Sequence, residues 1–199
     1  MIRRAAVTAA GLCLLGLLLP VLLVGALLGG GSSPAHAGTG QSSAVDLGAL
    51  GMPPVSGSGL VLGADGLARA PAGAPVAVAG AVAAANEISD RPYLEVHYPT
   101  HIGNPTYDCS SAVSHVLWGA GAFGTAPWTS GMLMSYGLPG PGRWITVYAH
   151  SGHAFVIVAG LRFDTASYDS GPNAGESGPR WRVGPRPVDG FVVRHPAGL

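Results

Sequence analysis

The chain has no lysine. All 10 of its basic residues are arginine, and they balance 10 acidic residues to a formal net charge of zero. With no excess of either sign there is no basic footprint for a nucleic acid and no acidic one for a cationic partner. Cysteine is almost missing too. The two present are Cys13, inside an apolar N-terminal run, and Cys109. A disulfide framework within the chain is therefore excluded as its organising principle. Aromatic residues are missing from Gly29 to Pro75, a stretch of mostly Gly, Ala, Ser and Pro that cannot build a core of its own.

What is present begins with "MIRRAAVTAAGLCLLGLLLPVLLVGALLGG". Arg3 and Arg4 precede a Leu-rich, uncharged run from about Val7 to Leu28, which reads as an export segment. The run is also long enough for a single membrane span. Two outcomes stay open for residues 1–37: a signal peptide cleaved after Ala37 in "PAHA", or a retained single-pass anchor. In both, the arginine pair stays cytoplasmic and the remainder is delivered outside, to the cell surface or wall. Residues 38–74 then read as a flexible tether, and residues 75–199 as the folded domain.

Within that domain the spacing predicts a helix over 76–90, Ala-rich and ended by Arg91-Pro92. A second helix begins at Cys109. Asp108 caps it, and Cys109, Ala112, Val113, Val116, Leu117 and Ala120 recur at helical spacing. One short helical turn is expected around 131–136. From Arg143 onward the pattern changes to β-branched and aromatic strands at 143–149, 153–159, 161–165, 180–183 and 190–195. Helices followed by an antiparallel meander define an α+β fold.

A lone cysteine has three readings here: a buried small hydrophobe, an intermolecular disulfide or a nucleophile. Its place at a helix N-terminus favours the third. Free N–H groups there stabilise a thiolate and can hold a developing oxyanion. His115 sits six residues on and turned away, so a base must come from elsewhere. His153 heads the most apolar strand. If Ala159-Gly160 makes a two-residue turn, Phe155 pairs with Asp164, and Asp164 falls diagonally from His153 on the same face. A three-residue turn would put Asp164 on the opposite face. With the shorter turn, Cys109, His153 and Asp164 supply nucleophile, base and orienter.

"YDCSSAVSHVLWGAG" and "SGHAFVIVAGLRFDT" together resemble the NlpC-type cell-wall cysteine peptidases, over about residues 76–199. The resemblance implies a papain-like fold in which N-terminal helices, one bearing the cysteine, pack on an antiparallel sheet. It implies Cys109 as nucleophile, His153 as base and Asp164 in the third position, where relatives carry His, Asn or Gln, with Glu176 or Asp169 as replacements. Tyr93, Asp108 and Ser110 become candidates for contacting substrate or the oxyanion, although "RPYLEVHYPTHIG" lacks the paired glycines that relatives carry after this tyrosine. The implied activity is hydrolysis of peptide bonds in the peptidoglycan stem by a thiolate–imidazolium pair, with no cofactor or metal. The implied chain is a monomer whose partner is the stem peptide. It touches membrane only through its N-terminal segment and does not bind nucleic acid.

Two other classes remain beside it: an inactive wall-binding module, and an amidase or acyltransferase using the same Cys-His pair. A metal site at His97/His101 or His150/His153 lacks a completing ligand set. Trp128, Tyr136 and Trp144 fit either a glycan or peptide groove or packing beneath a long loop.

Overall fold

The computed structural model describes residues 59–168 and 171–199. The expected export segment with Cys13, the expected tether as far as residue 58, and Asp169 lie outside the described residues. Among the described residues no helix is long and apolar enough to cross a membrane.

The first described segment departs from the expected tether. Val61–Leu62 (β1) and Ala68–Arg69 (β2) form a small antiparallel hairpin. It lacks aromatic residues, yet Ala68 is buried and Leu60, Leu62, Ala70 and Ala74 pack on the core. Asn86 provides the attachment. Its Nδ2 donates to Ala68 O at 2.8 Å, while its Oδ1 accepts from Ala68 N at 3.0 Å and from Trp181 Nε1 at 2.7 Å. The packing on the core therefore extends ahead of Pro75, across the described residues from 59 onward.

Val76–Glu87 (α1) and Cys109–Gly119 (α2) occur where the periodicity places them. They cross closely at Gly80 and Gly119. A Cβ on Gly119 would stand 2.6 Å from Gly80 O, so both positions need the bare backbone. Ser130–Leu133 (α3) is the short turn, capped by Thr129 Oγ1, which accepts from Met132 N at 3.2 Å.

The strands are Leu138–Pro139 (β3), Ile145–His150 (β4), His153–Val158 (β5), Leu161–Asp164 (β6), Arg180–Arg182 (β7) and Val192–His195 (β8). They form one antiparallel sheet in the order β3-β8-β4-β5-β6-β7. From β4 to β7 this is the expected meander. The last strand departs from it, returning across the sheet to pair with β4 on the far side. The molecule is thus an α+β arrangement.

Alternation along the strands separates two faces. Ile145, Val147 and Ala149, with Ala154, Val156 and Val158 opposite them, join Phe163 and Trp181 in one buried cluster with Val78, Ala81, Val113, Val116 and Leu117 of the helices. His153, Phe155 and Ile157 alternate to the other face, together with Arg162. There Phe155 stacks on Tyr148 at 4.8 Å between ring centroids.

Candidate functional site

Helix α2 begins at the cysteine because residues 108–111 build a reciprocal cap. Asp108 Oδ1 accepts from Ser111 N at 2.7 Å, and Asp108 N donates to Ser111 Oγ at 3.0 Å. Ser110 Oγ adds a 3.1 Å bond to the same carboxylate oxygen. Asp108 and Ser110, expected as substrate contacts, are thus engaged in starting the helix and aiming Cys109. The cap satisfies the Ser111 amide. The amides of Cys109 and Ser110 belong to the same first turn, which has no intrahelical acceptors.

Cys109 is a free thiol, 9% exposed. Burial pushes it up to about 11, with the Asp108 and Asp164 charges acting in the same direction. The backbone amides of Ala154 and Ser110 favour its anion but do not offset the desolvation. This corrects the expectation of a lowered thiol. The helix terminus does act on the sulfur, but packing the sulfur away from water acts more strongly. Burial therefore favours the protonated thiol at neutral pH.

His153 and Asp164 come together as the two-residue turn requires. Val158 pairs with Leu161 across Ala159-Gly160, both of which have positive φ, 44° and 88°. His153 Nε2 lies 2.9 Å from Asp164 Oδ1. A carboxylate can only accept, so Nε2 carries the proton and Nδ1 is left as the basic nitrogen. The Cys109 sulfur meets the backbone amide of Ala154, the residue after His153. Among the described residues no side-chain hydrogen bond joins the sulfur to the ring at rest.

Asp164 has no exposed side-chain surface. Burial alone would raise it. The His153 hydrogen bond and charge, the Arg186 charge and the Ala166 amide reverse that and hold it below the ordinary carboxylate value. Arg162 Nη1 and Arg186 Nη1 donate to Oδ2 at 2.5 and 2.8 Å, and Ala166 N donates to Oδ1 at 3.0 Å. Sequence reasoning missed both arginines. For Arg162 a signal existed, since strand alternation places it on the face of Asp164. For Arg186 there was none, because it arrives from an irregular loop.

Glu176 does not replace Asp164. It is ion-paired with Arg180 at 3.1 Å, and its side chain is 60% exposed. Tyr93 is brought to the site by the backbone. Its segment pairs with Tyr107, with Tyr107 N donating to Pro92 O at 3.1 Å. Its phenol is half-exposed and pushed up by burial first and then by the charges of Cys109 and Asp108. A hollow of about 240 Å³ opens beside the helix start, lined by His97, Tyr98, Asp108, Ser110, Trp128 and Thr129. Tyr136 belongs to packing. It is buried, its hydroxyl donates to Ala122 O at 2.9 Å, and its ring meets Phe123 and Trp128. Trp144 is partly buried against the core.

His115 is indeed turned away from the sulfur. It is buried against Tyr107, Trp118 and His101, and its Nε2 lies 3.5 Å from Glu87. Among the described residues no group of three or more His, Cys, Asp or Glu side chains could hold a metal. Compared with protein families, with curated proteins and with solved structures, the chain matches none.

Proposed function

We propose that the chain is a cysteine peptidase of papain-like architecture that acts outside the cell on the peptide stem of peptidoglycan. The observation that carries this reading is the Asp164–His153 bond, which holds the ring through Nε2, and His153 is the residue next to Ala154, whose backbone amide meets the Cys109 sulfur. The arrangement supports acyl transfer with the base working during attack. Catalytic hydrogen bonds are commonly loose before substrate binds and tighten in the complex.

The steps follow from these residues. The Cys109 Sγ–H proton passes to His153 Nδ1 as sulfur attacks the substrate carbonyl carbon. The Cys109 amide at the start of α2 holds the resulting oxyanion, with Tyr93 at the rim. Collapse breaks the C–N bond, and His153 returns the proton to the departing amine. Water then attacks the thioester, gives one proton to His153 and releases the acid. The proton returns to the sulfur.

The test is incubation of the full-length chain with purified sacculi, with Cys109→Ala as control, and mass spectrometry of the soluble products. Muropeptides with new amino termini, missing from the control, are expected. Sacculi left unchanged by a chain whose Cys109 turns over small acyl donors would move the reading to an amidase or acyltransferase. The buried, neutral thiol favours one second reading, a wall-binding module without turnover. That reading predicts sedimentation with sacculi, equal for wild type and Cys109→Ala, and no soluble product.

A further inference from the structure

The segment "VGPRPVDG", residues 183–190, is built from turn-forming and small residues, yet it sends one guanidinium inward. Arg186 lies 4.9 Å from the ring centroids of both Phe155 and Tyr168 and 5.3 Å from that of Phe191. Only 10% of its side chain is exposed, and its Nε is buried without a hydrogen-bond partner. An apolar side chain would cover Phe155 without the cost of burying a charge. What the guanidinium adds is its 2.8 Å bond to Asp164 Oδ2.

That oxygen matters because a carboxylate orients an imidazole only if it cannot rotate. Oδ1 is occupied by His153 Nε2 and the Ala166 amide, and Oδ2 by Arg162 and Arg186. Arg162 is held independently by the carbonyls of Ala166 and Tyr168 on its own chain segment. Arg186 is the tie that comes from outside the β5–β6 hairpin. We propose that Arg186 is a positioning residue for the His153–Asp164 pair: by clamping Asp164 Oδ2 from the 183–190 loop, it fixes the carboxylate's rotation and with it the tautomer and direction of the His153 ring.

The proposal rests on the reading of Cys109 and His153 as the reacting pair. Asp164 is faced by His153 from β5, Arg162 from β6, Arg186 from the loop and the Cys109 thiol from α2. Arg182 Nε from β7 lies 3.3 Å from its backbone oxygen. Two guanidiniums thus hold the carboxylate and a third its backbone oxygen, so the anion that orients His153 is fixed from two strands and a loop.

The test uses full-length Arg186→Met, which keeps bulk against the rings, Arg186→Ala, and Val188→Ala as a packing control in the same loop. Sacculus digestion gives the rates, and nuclear magnetic resonance of labelled imidazoles follows the His153 Nε2 proton. In Arg186→Met the maximal rate should fall about tenfold or more at an unchanged half-saturating amount of sacculus. The Nε2 proton should broaden through exchange with water. Added guanidinium, below denaturing concentration, should restore Arg186→Ala, while Val188→Ala keeps the wild-type rate. An unchanged imidazole signal would overturn the proposal, as would an equal loss in Val188→Ala. If wild type leaves sacculi intact, the peptidase reading fails, and the imidazole signal still decides the role of Arg186.

Discussion

The alkylation of Cys109 offers a direct measure of how the site is charged at rest. An ordinary thiol near 9.0 is raised here to about 11 by desolvation. That rise corresponds to about 3 kcal/mol against the anion, and at pH 7 to about 100-fold fewer thiolates than an ordinary cysteine carries. Reaction with iodoacetamide should therefore climb about tenfold per pH unit through the alkaline range and bend only near 11. Access to a buried sulfur slows every point equally, so the bend, not the absolute rate, carries the information. Peptide mass analysis counts Cys13 and Cys109 separately in the full-length chain. His153→Ala should leave the bend in place, because a neutral thiol owes nothing to a protonated ring. A flat, fast reaction from mildly acidic pH upward, lost in His153→Ala, would mean that a thiolate–imidazolium pair already exists. That result would refute the burial argument.

Four further outcomes follow from the packing. Asp164→Asn strands the Arg162 and Arg186 guanidiniums in a buried site and should cost about 3–5 kcal/mol, read as a lower urea midpoint; a loss below about 1 kcal/mol would remove the carboxylate from the centre of that network. Burial holds His115 below its ordinary 6.5, outweighing Glu87, so the unfolded chain binds the proton first and stability falls as the pH drops below 6.5. Urea midpoints between about pH 7 and 5 should show that fall in wild type and a shallower one in His115→Gln. Gly80→Ala forces a methyl into the α1–α2 crossing and should cost about 1–3 kcal/mol by the same assay, whereas an unchanged midpoint would mean that the helices can part freely. Ala159→Gly removes the strain of a positive φ at a residue with a Cβ and should stabilise by up to about 1 kcal/mol; a clear loss would show that the buried methyl contributes more than the strain costs.

Local rules made part of this molecule legible and left the rest hidden. Asp108 before an apolar period of 3.6 marked the start of α2, and Ala159-Gly160 between two β-branched runs fixed a register that brought His153 to Asp164. Both are decided by a few neighbouring residues. The hairpin at 59–74 was hidden because its strands are two residues long and its hold on the core is a set of bonds to Asn86, which composition does not record. The raised thiol was hidden for a similar reason. A helix start can be read from its cap, whereas the exclusion of water from the sulfur depends on which strand end lies against it. Arg186 is separated from its carboxylate by more than twenty residues and an irregular loop, so no periodicity pointed to it.

The crossing of Gly80 with Gly119 has a bearing on how such a site could be altered. Helix α2 is a rod with the sulfur at one end and the bare-backbone contact at the other, about 15 Å away at 1.5 Å per residue. A small tilt of the rod at its clamped end would be magnified at the sulfur. On the proposed function, laboratory evolution that varies the rim around His97, Tyr98 and Trp128 would change what is admitted without touching this lever, whereas variation at 80 or 119 would displace the sulfur for every substrate at once.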